Sequence, residues 1–273
     1  MASATAYQRR RKGYRTETMG TQSVTDGLVI RDFNVGEADR FLTLLTRKFG
    51  VIRANARGAR RMKSGVSTGT QLLCHADFTL FKGREKYSID EATPLTLFMG
   101  VRSDLEKLAL AQYFCELEDF LAPKEEEASL FLRLILNALA LLEAGKRPAL
   151  QIKAAFEMRL LSLSGYMPDL VACSDCGIYE ADEVTLLLQS GVFLCAGCAI
   201  RDQTPPNARA QLSRGALAAM RHTVYADFSR LFSFSLPEHT LTQFATASER
   251  YLLATLERSF NTLEFYHSLS TIC

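Results

Sequence analysis

The sequence predicts a multidomain α+β protein: an N-terminal five-stranded OB-type β-barrel, followed by an all-α domain carrying a four-cysteine zinc module. Three observations lead there. Apolar residues fall in short, strand-like runs from Val24 to about Thr93 and adopt a helical period beyond Pro94. The runs lie too close together for helical crossovers, so the strands are expected to close on one another rather than form an open parallel sheet. Two C-x2-C pairs, Cys173/Cys176 and Cys195/Cys198, interrupt the helical half. The implied organisation is a basic arm over 1–23, the barrel over 24–95, a helical domain over 96–170 and 201–273, and a zinc-knuckle insert over 171–200.

Composition sets the outer bounds. A chain of 273 residues, 48% apolar and 23% charged, can bury a large core without disulfide staples, which excludes disorder for its bulk. Seven cysteines are too few for a disulfide scaffold and odd in number, pointing to a reducing interior. The longest apolar run, 134–142, is too short to span a bilayer and follows Arg133. A net charge of +2 conceals opposed halves: residues 1–90 carry 17 Lys+Arg against 8 Asp+Glu, and the remainder 15 against 22. The basic half is expected to face a polyanion, whether nucleic acid, an acidic membrane face or an acidic protein tail.

Residues 1–20 are polar, with the cluster Arg9, Arg10, Arg11 and Lys12, then Arg15. Their acid-poor flavour is that of a transit peptide, and the missing apolar stretch excludes a secretory signal. They read as a disordered basic arm, or as an over-long gene start with Met19 as initiator. Strands are expected at 27–31, 40–45, 51–57, 72–82 and 86–92, the last two joined around Gly83.

The helical half opens on Ser103 and Glu106, a capping-box pattern, with a helix to about Leu121 striped by Leu110, Phe114 and Leu117. A second helix is expected to start in the acidic run Glu125, Glu126 and Glu127 and to stop at Gly145. A third, running to Gly165, has Ile152, Phe156, Leu160 and Leu163 on one side. Helices resume from Ser213, and a long final one follows the capping pattern of Thr240 and Gln243.

The cysteine pairs are the sharpest chemical signal. Each C-x2-C forms a knuckle aiming two sulfurs at one point, and the eighteen-residue spacer accommodates a hairpin around Gly191 that returns the second knuckle to the first. Four thiolates would close a Zn2+ tetrahedron and leave no position for water, so the expected site is structural. In isolated modules such binding is worth about 10–16 kcal/mol, enough to fold an insert with almost no core. A metal-free knuckle is the bland alternative. Redox work would need a C-x-x-C at a helix start after a strand, a setting expected for neither pair.

The second signal is Arg53, Arg57, Arg60, Arg61 and Lys63, on the third strand and the loop after it. Gly58, Ser64, Gly65 and Gly69 are expected to keep that loop mobile and to allow close approach to a backbone. Arg31, Arg40, Lys82, Arg84 and Lys86 lie on or beside other strands and extend the candidate DNA-binding surface, with Phe33, Phe78, Phe81 and Tyr87 as stacking platforms. Five neutralised phosphates would give a salt slope of about −3.5 to −4.5. The bland reading is that Phe78 and Phe81 belong to the barrel core and that the cations form a solvated face.

Enzymatic signatures are thin. Gly65, Ser67 and Gly69 match G-x-S-x-G, but a nucleophile elbow needs a strand before it and a helix after it. His75, His222, His239 and His267 are far apart, and Cys74, Cys115 and Cys273 have no paired partner. Packing is the expectation for all of them, and binding rather than catalysis for the chain.

The order of parts resembles a known family. The segments 27–31 (GLVIR), 36–40 (GEADR), 44–46 (LLT) with 50–52 (GVI), and 56–61 (ARGARR) are similar to the N-terminal barrel of the RecO family of bacterial recombination mediators. Segments 156–161 (FEMRLL) and 165–169 (GYMPD), followed by Cys173 and Cys176, resemble that family's join between helical domain and zinc knuckle. The resemblance covers about residues 24–200. It implies a non-catalytic protein that binds single- and double-stranded DNA and anneals complementary strands. The implied partners are RecR and the acidic tail of single-strand-binding protein, with RecA loaded indirectly. It also implies a cytoplasmic, nucleoid-associated location, Cys173, Cys176, Cys195 and Cys198 as metal ligands, and the loop from Arg57 to Lys63 as a DNA contact. Members usually begin near what is Thr21 here, which favours Met19 as the start.

Two rivals stand beside it. A zinc-ribbon nucleic-acid-processing enzyme, or its accessory subunit, would carry an unrecognised active site. An interaction scaffold would use the basic barrel to bind acidic proteins instead of DNA.

Overall fold

The computed structural model describes residues 22–61, 64–83 and 86–270. The arginine-rich arm, Lys63, Arg84 and Cys273 lie outside the described residues. Strands β1 (Gln22–Val35), β2 (Asp39–Thr46), β3 (Gly50–Ala56), β4 (His75–Lys82) and β5 (Tyr87–Thr96) form a closed barrel in the order β1-β2-β3-β5-β4. Neighbours are antiparallel except at the seam, where β3 and β5 run parallel through Ala54↔Tyr87 and Asn55↔Ser88. The expected OB-type barrel is present, with β1 much longer than the five residues the sequence marks out.

Alternation explains both faces of this barrel. Val29, Leu42, Leu44, Ile52, Phe78 and Leu80 point inward and fill it. Leu28, Ile30, Leu45 and Val51 point outward into the core of the helical half. Register slips between Val29 and Arg31, leaving Ile30 as the extra residue of a β-bulge. The barrel is therefore packed against the helices through its own outer wall, not tethered by a linker.

The turn between β2 and β3 is fixed to the chain that follows the first long helix. Gly50 has φ +57°, and a Cβ there would collide with the carbonyl oxygen of Pro123. Val51 N–H donates to that same carbonyl at 2.8 Å, and Ala128 N–H donates to the Arg47 carbonyl at 2.9 Å. Beside it, Arg47 grips the Asp26 carboxylate through two bonds of 2.7 and 2.6 Å, with His75 at 3.3 Å. Burial pushes Asp26 up, but Arg47 and His75 outweigh it and hold the carboxyl below its ordinary range.

The helical half contains α1 (Met99–Arg102), α2 (Leu105–Leu121), α3 (Ser129–Ala144), α4 (Ala149–Leu163), α5 (Ala196–Ala199), α6 (Arg214–Tyr225), α7 (Glu238–Leu256) and α8 (Asn261–Ser270). Several sequence expectations shift. Asp104, not Ser103, caps α2 by accepting from Lys107 N–H at 3.1 Å. The acidic run is a loop in which Glu125 has φ +59°, and α3 begins only at Ser129. Helix α4 is not one-sided: every residue from Gln151 to Leu161 is buried, making it the bundle's central rod. Its Lys153 sits 2.7 Å from Glu157 and 2.6 Å from Glu249 of α7, and Tyr113 of α2 donates to Glu157 at 2.9 Å. The last helix begins at Glu238, ahead of Thr240, and breaks at Glu257 (φ +50°) into α7 and α8.

The cysteine region is also larger than the insert read from sequence. Strands β6 (Glu183–Leu187) and β7 (Val192–Cys195) form the expected hairpin, and β8 (Arg209–Ser213) adds a third strand in the order β7-β6-β8. Val184, Leu186, Leu188 and Phe193 are buried in the helical core itself. The expectation of an appendage with almost no core is corrected: the module is built into the body. Among the described residues, no helix is long and apolar enough to cross a membrane.

Candidate nucleic-acid interface and metal centre

Paired residues on adjacent strands share a face. The register Arg31↔Thr43↔Arg53 therefore sets two guanidinium-bearing side chains on the barrel's outer wall. The next outward row is Phe33↔Phe41↔Asn55, with the Lys86 ammonium 5.4 Å from the centre of the Phe41 ring. Phe33 is 55% exposed and Arg53 is exposed, so rings and cations sit side by side in reach of a chain lying across β1, β2 and β3. Phe41 is hard to pick out in the sequence because it lies within the apolar run 40–45. Period-two alternation from Leu42 and Leu44, which point inward, is the signal that finds it.

The basic loop starts on anchors. Gly58 N–H donates to Asp39 Oδ1 at 2.7 Å, Arg60 N–H donates to the Ala38 carbonyl, and the Arg60 guanidinium donates to the Gly36 carbonyl at 2.9 Å. Ala59 is fully buried between these contacts. The loop is thus tied to the β1–β2 turn at its start, against the expectation of mobility along its length. Arg57 and Arg61 are exposed, and among the described residues the side chains of Arg53, Arg57 and Arg61 make no hydrogen bond or ion pair, the bonds of Arg61 being those of its backbone.

Other expected DNA contacts are engaged inside the protein. Arg40 closes one end of the barrel, its guanidinium donating to the carbonyls of Ser67 and Thr70 at 3.3 and 3.2 Å. Arg31 lies 3.4 Å from Asp119 of α2, and Lys82 lies 3.1 Å from Glu125. Phe78 is buried in the barrel and Tyr87 is 6% exposed, so neither offers a ring face to a base, while Phe81 is 37% exposed. The segment of Gly65, Ser67 and Gly69 is a series of turns between β3 and β4, without the strand and helix of a nucleophile elbow. Cys74 and Cys115 are buried, as packing predicts, and burial pushes the Cys74 thiol up to about 11.

The second site is the thiol cluster. The Sγ atoms of Cys173, Cys176, Cys195 and Cys198 all lie within 4.8 Å of one another, with Cys176 and Cys195 at 3.7 Å. Gly177, at φ +74°, turns the first knuckle, whose Gly177 N–H donates to the Cys173 carbonyl at 2.8 Å. The second knuckle runs from the end of β7 into α5. The second pair thus stands at a helix start after a strand, against the expectation from sequence that neither pair has that setting, but α5 is one turn long and its cysteines face two others. Cys195 N–H donates to Cys173 Sγ at 3.3 Å. Burial pushes the Cys173 thiol up, and backbone N–H groups from Cys176, Cys195 and Asp175 outweigh it, bringing it down to about 6. Four convergent sulfurs are a donor set that can hold one metal ion and leave no position for substrate. Among the described residues this is the one group of three or more His, Cys, Asp or Glu side chains gathered closely enough to do so.

A closed OB barrel with guanidinium groups and rings on its outer wall, fused to a helical body with a tetrathiolate centre, defines a multidomain binding protein. The comparisons carry this further. Residues 19–98 match the family model described as Recombination protein O N terminal, and 102–264 match Recombination protein O C terminal. Curated relatives named DNA repair protein RecO include one from Acetivibrio thermocellus, 37% identical over 91% of this chain and 97% of the relative. Another, from Symbiobacterium thermophilum, is 33% identical over 89% of this chain and 96% of its own. One from Desulforudis audaxviator is 39% identical over 68% and 73%. The chain belongs to the RecO family of DNA repair proteins. Membership sets it among repair mediators and not among enzymes.

Proposed function

We propose that this protein is a DNA-binding recombination mediator that anneals complementary strands and, with RecR, helps load RecA onto DNA coated by single-strand-binding protein. The observation that carries the reading is the outward placing of Arg53 next to the row of Phe33 and Phe41, with exposed Arg57 and Arg61 on the loop that follows β3. Two strands repel through their phosphates, and a cationic wall that holds both lowers that barrier without ATP or proton transfer. Base pairing supplies sequence specificity, so backbone contacts and stacking suffice from the protein. The thiol cluster suits Zn2+, whose role there is to fix the two knuckles.

The helical half is the proposed protein-docking side. An acidic tail from single-strand-binding protein needs a cation beside an apolar groove. Arg159 is taken, donating to the carbonyls of Val224 and Ala226. Arg133 lies over the Phe228 ring at 5.1 Å, beside a groove of about 500 Å³ lined by Leu141, Phe228 and Phe232. This reading places the protein in the cytoplasm, on the nucleoid.

Annealing of complementary oligonucleotides by the purified chain, without ATP or magnesium, tests the proposal. Retained annealing that is lost on charge reversal at Arg57, Arg60 and Arg61 supports it. Strict magnesium dependence with strand cutting supports the processing enzyme instead, and unchanged DNA affinity after charge reversal supports the protein scaffold.

A further inference from the structure

Two of the barrel's candidate DNA cations are held by carboxylates of the helical half: Arg31 by Asp119 at 3.4 Å, and Lys82 by Glu125 at 3.1 Å. The two pairs differ in setting. Lys82 and Glu125 are both more than half exposed, where water and salt screen them. The Asp119 side chain is 16% exposed, and Arg31 is 45% exposed. Arg31 projects from the same outer wall as Arg53, across the single residue Thr43. It is also adjacent to the outward row of Phe33 and Phe41. A groove of about 390 Å³ opens beside it between β1 and α2, lined by Arg31, Phe33, Gln112, Cys115 and Glu116. Glu116, in the wall of that groove, has a second guanidinium 3.9 Å away, that of Arg258, which also lies 4.5 Å from the centre of the exposed Phe120 ring.

We infer that Asp119 competes from within the chain with nucleic-acid phosphate for Arg31, so that the helical half sets the barrel's affinity for a single strand. The inference rests on the reading of the barrel wall as a DNA surface. A carboxylate oxygen and a phosphate oxygen ask the same thing of a guanidinium, a charge-assisted N–H···O bond. A strand laid over Arg53 and Phe33 reaches Arg31 next, where its phosphate meets the Asp119 carboxylate as a rival for the same guanidinium. The Arg31–Asp119 pair sits at the margin of the apolar contact between β1 and α2, which Leu28, Ile30 and Leu110 maintain without it. Asp119 is thus a positioning residue that tunes binding, and its removal leaves the two halves packed.

The test is titration of a fluorescent single-stranded oligonucleotide with the full chain at several salt concentrations, comparing wild type, Asp119→Asn and Glu106→Gln. Glu106 is exposed in the first turn of α2, so its variant reproduces the change in net charge without touching Arg31. Asp119→Asn is expected to bind about two- to fivefold more tightly at low salt, the range a half-exposed ion pair spans. Its salt slope steepens by about 0.7, one added phosphate contact on a single strand. Glu106→Gln gives a smaller gain with the wild-type slope. In an Arg31→Ala background the gain from Asp119→Asn falls to that of Glu106→Gln, and its extra slope is lost. Equal binding by the two carboxylate variants, or a gain larger than that of Glu106→Gln that persists without Arg31, overturns the inference. Loss of the underlying DNA reading looks different: charge reversal at Arg57 and Arg61 would then leave every one of these titrations unchanged.

Discussion

Asp39 Oδ1 accepts a 2.7 Å hydrogen bond from the backbone N–H of Gly58, joining the turn after β1 to the first residues of the basic loop. Gly58 has φ +65°, so the chain reverses where the carboxylate holds it, and Arg57 and Arg61 emerge on either side. Asp39→Ala removes a bond to a charged acceptor, worth roughly 1–2 kcal/mol at a half-buried site. The expected outcome is faster proteolysis between Arg57 and Gly65 and weaker oligonucleotide binding, with the barrel still folded. Asp39→Asn, which keeps an acceptor oxygen, recovers most of both. Unchanged cleavage in the alanine variant contradicts the anchoring role.

Zinc is expected at one ion per chain by metal analysis, bound through Cys173, Cys176, Cys195 and Cys198. Because Val184, Leu186 and Phe193 are buried in the helical core, chelation should loosen the knuckles while the bundle and barrel stay folded. Hydrogen exchange after chelation would show rising exchange at Gly177 and Cys195 with the β1 amides unaffected. Simultaneous loss of protection throughout the chain contradicts this, since it would make the metal a condition for the whole fold.

Glu118 of α2 is fully buried, and among the described residues neither carboxyl oxygen has a hydrogen-bond partner. Burial holds its pKa well above the ordinary 4.5. The folded chain therefore keeps a proton that the unfolded chain releases above that ordinary value. Stability is full below it and falls as pH rises toward the folded pKa. Glu118→Gln removes this contribution: urea unfolding at pH 5 and pH 8 should show a smaller stability drop in the variant than in wild type. Equal drops contradict a buried, protonated Glu118.

Much of this architecture is legible in the residues. Alternation in 40–45 and the repeat of Leu110, Phe114 and Leu117 mark strand and helix, because burial of one face imposes its period on the chain. The cysteine spacing marks a metal site, because two knuckles must meet. Helix ends were less legible: Glu125, Glu126 and Glu127 suit a helix start, yet tertiary contacts from Pro123 and Ala128 to the β2–β3 turn hold that stretch as a loop. Strand β8 was missed because 209–213 is short and follows two prolines, with no partner visible until β6 is placed beside it. At the candidate interface, sequence shows which side chains are cationic but not which are already paired. Arg40 and Arg31 look like Arg53 in the sequence, and only the fold gives them Thr70 and Asp119 as partners.

The central claim is that the outward guanidinium groups of Arg53, Arg57 and Arg61 hold a phosphate chain, and the salt dependence of oligonucleotide affinity tests it most directly. Each lost phosphate contact should flatten the slope by about 0.7 on a single strand, so the triple alanine variant should lose about 2 from the wild-type slope. A triple variant that keeps both the wild-type slope and the wild-type affinity would contradict the account.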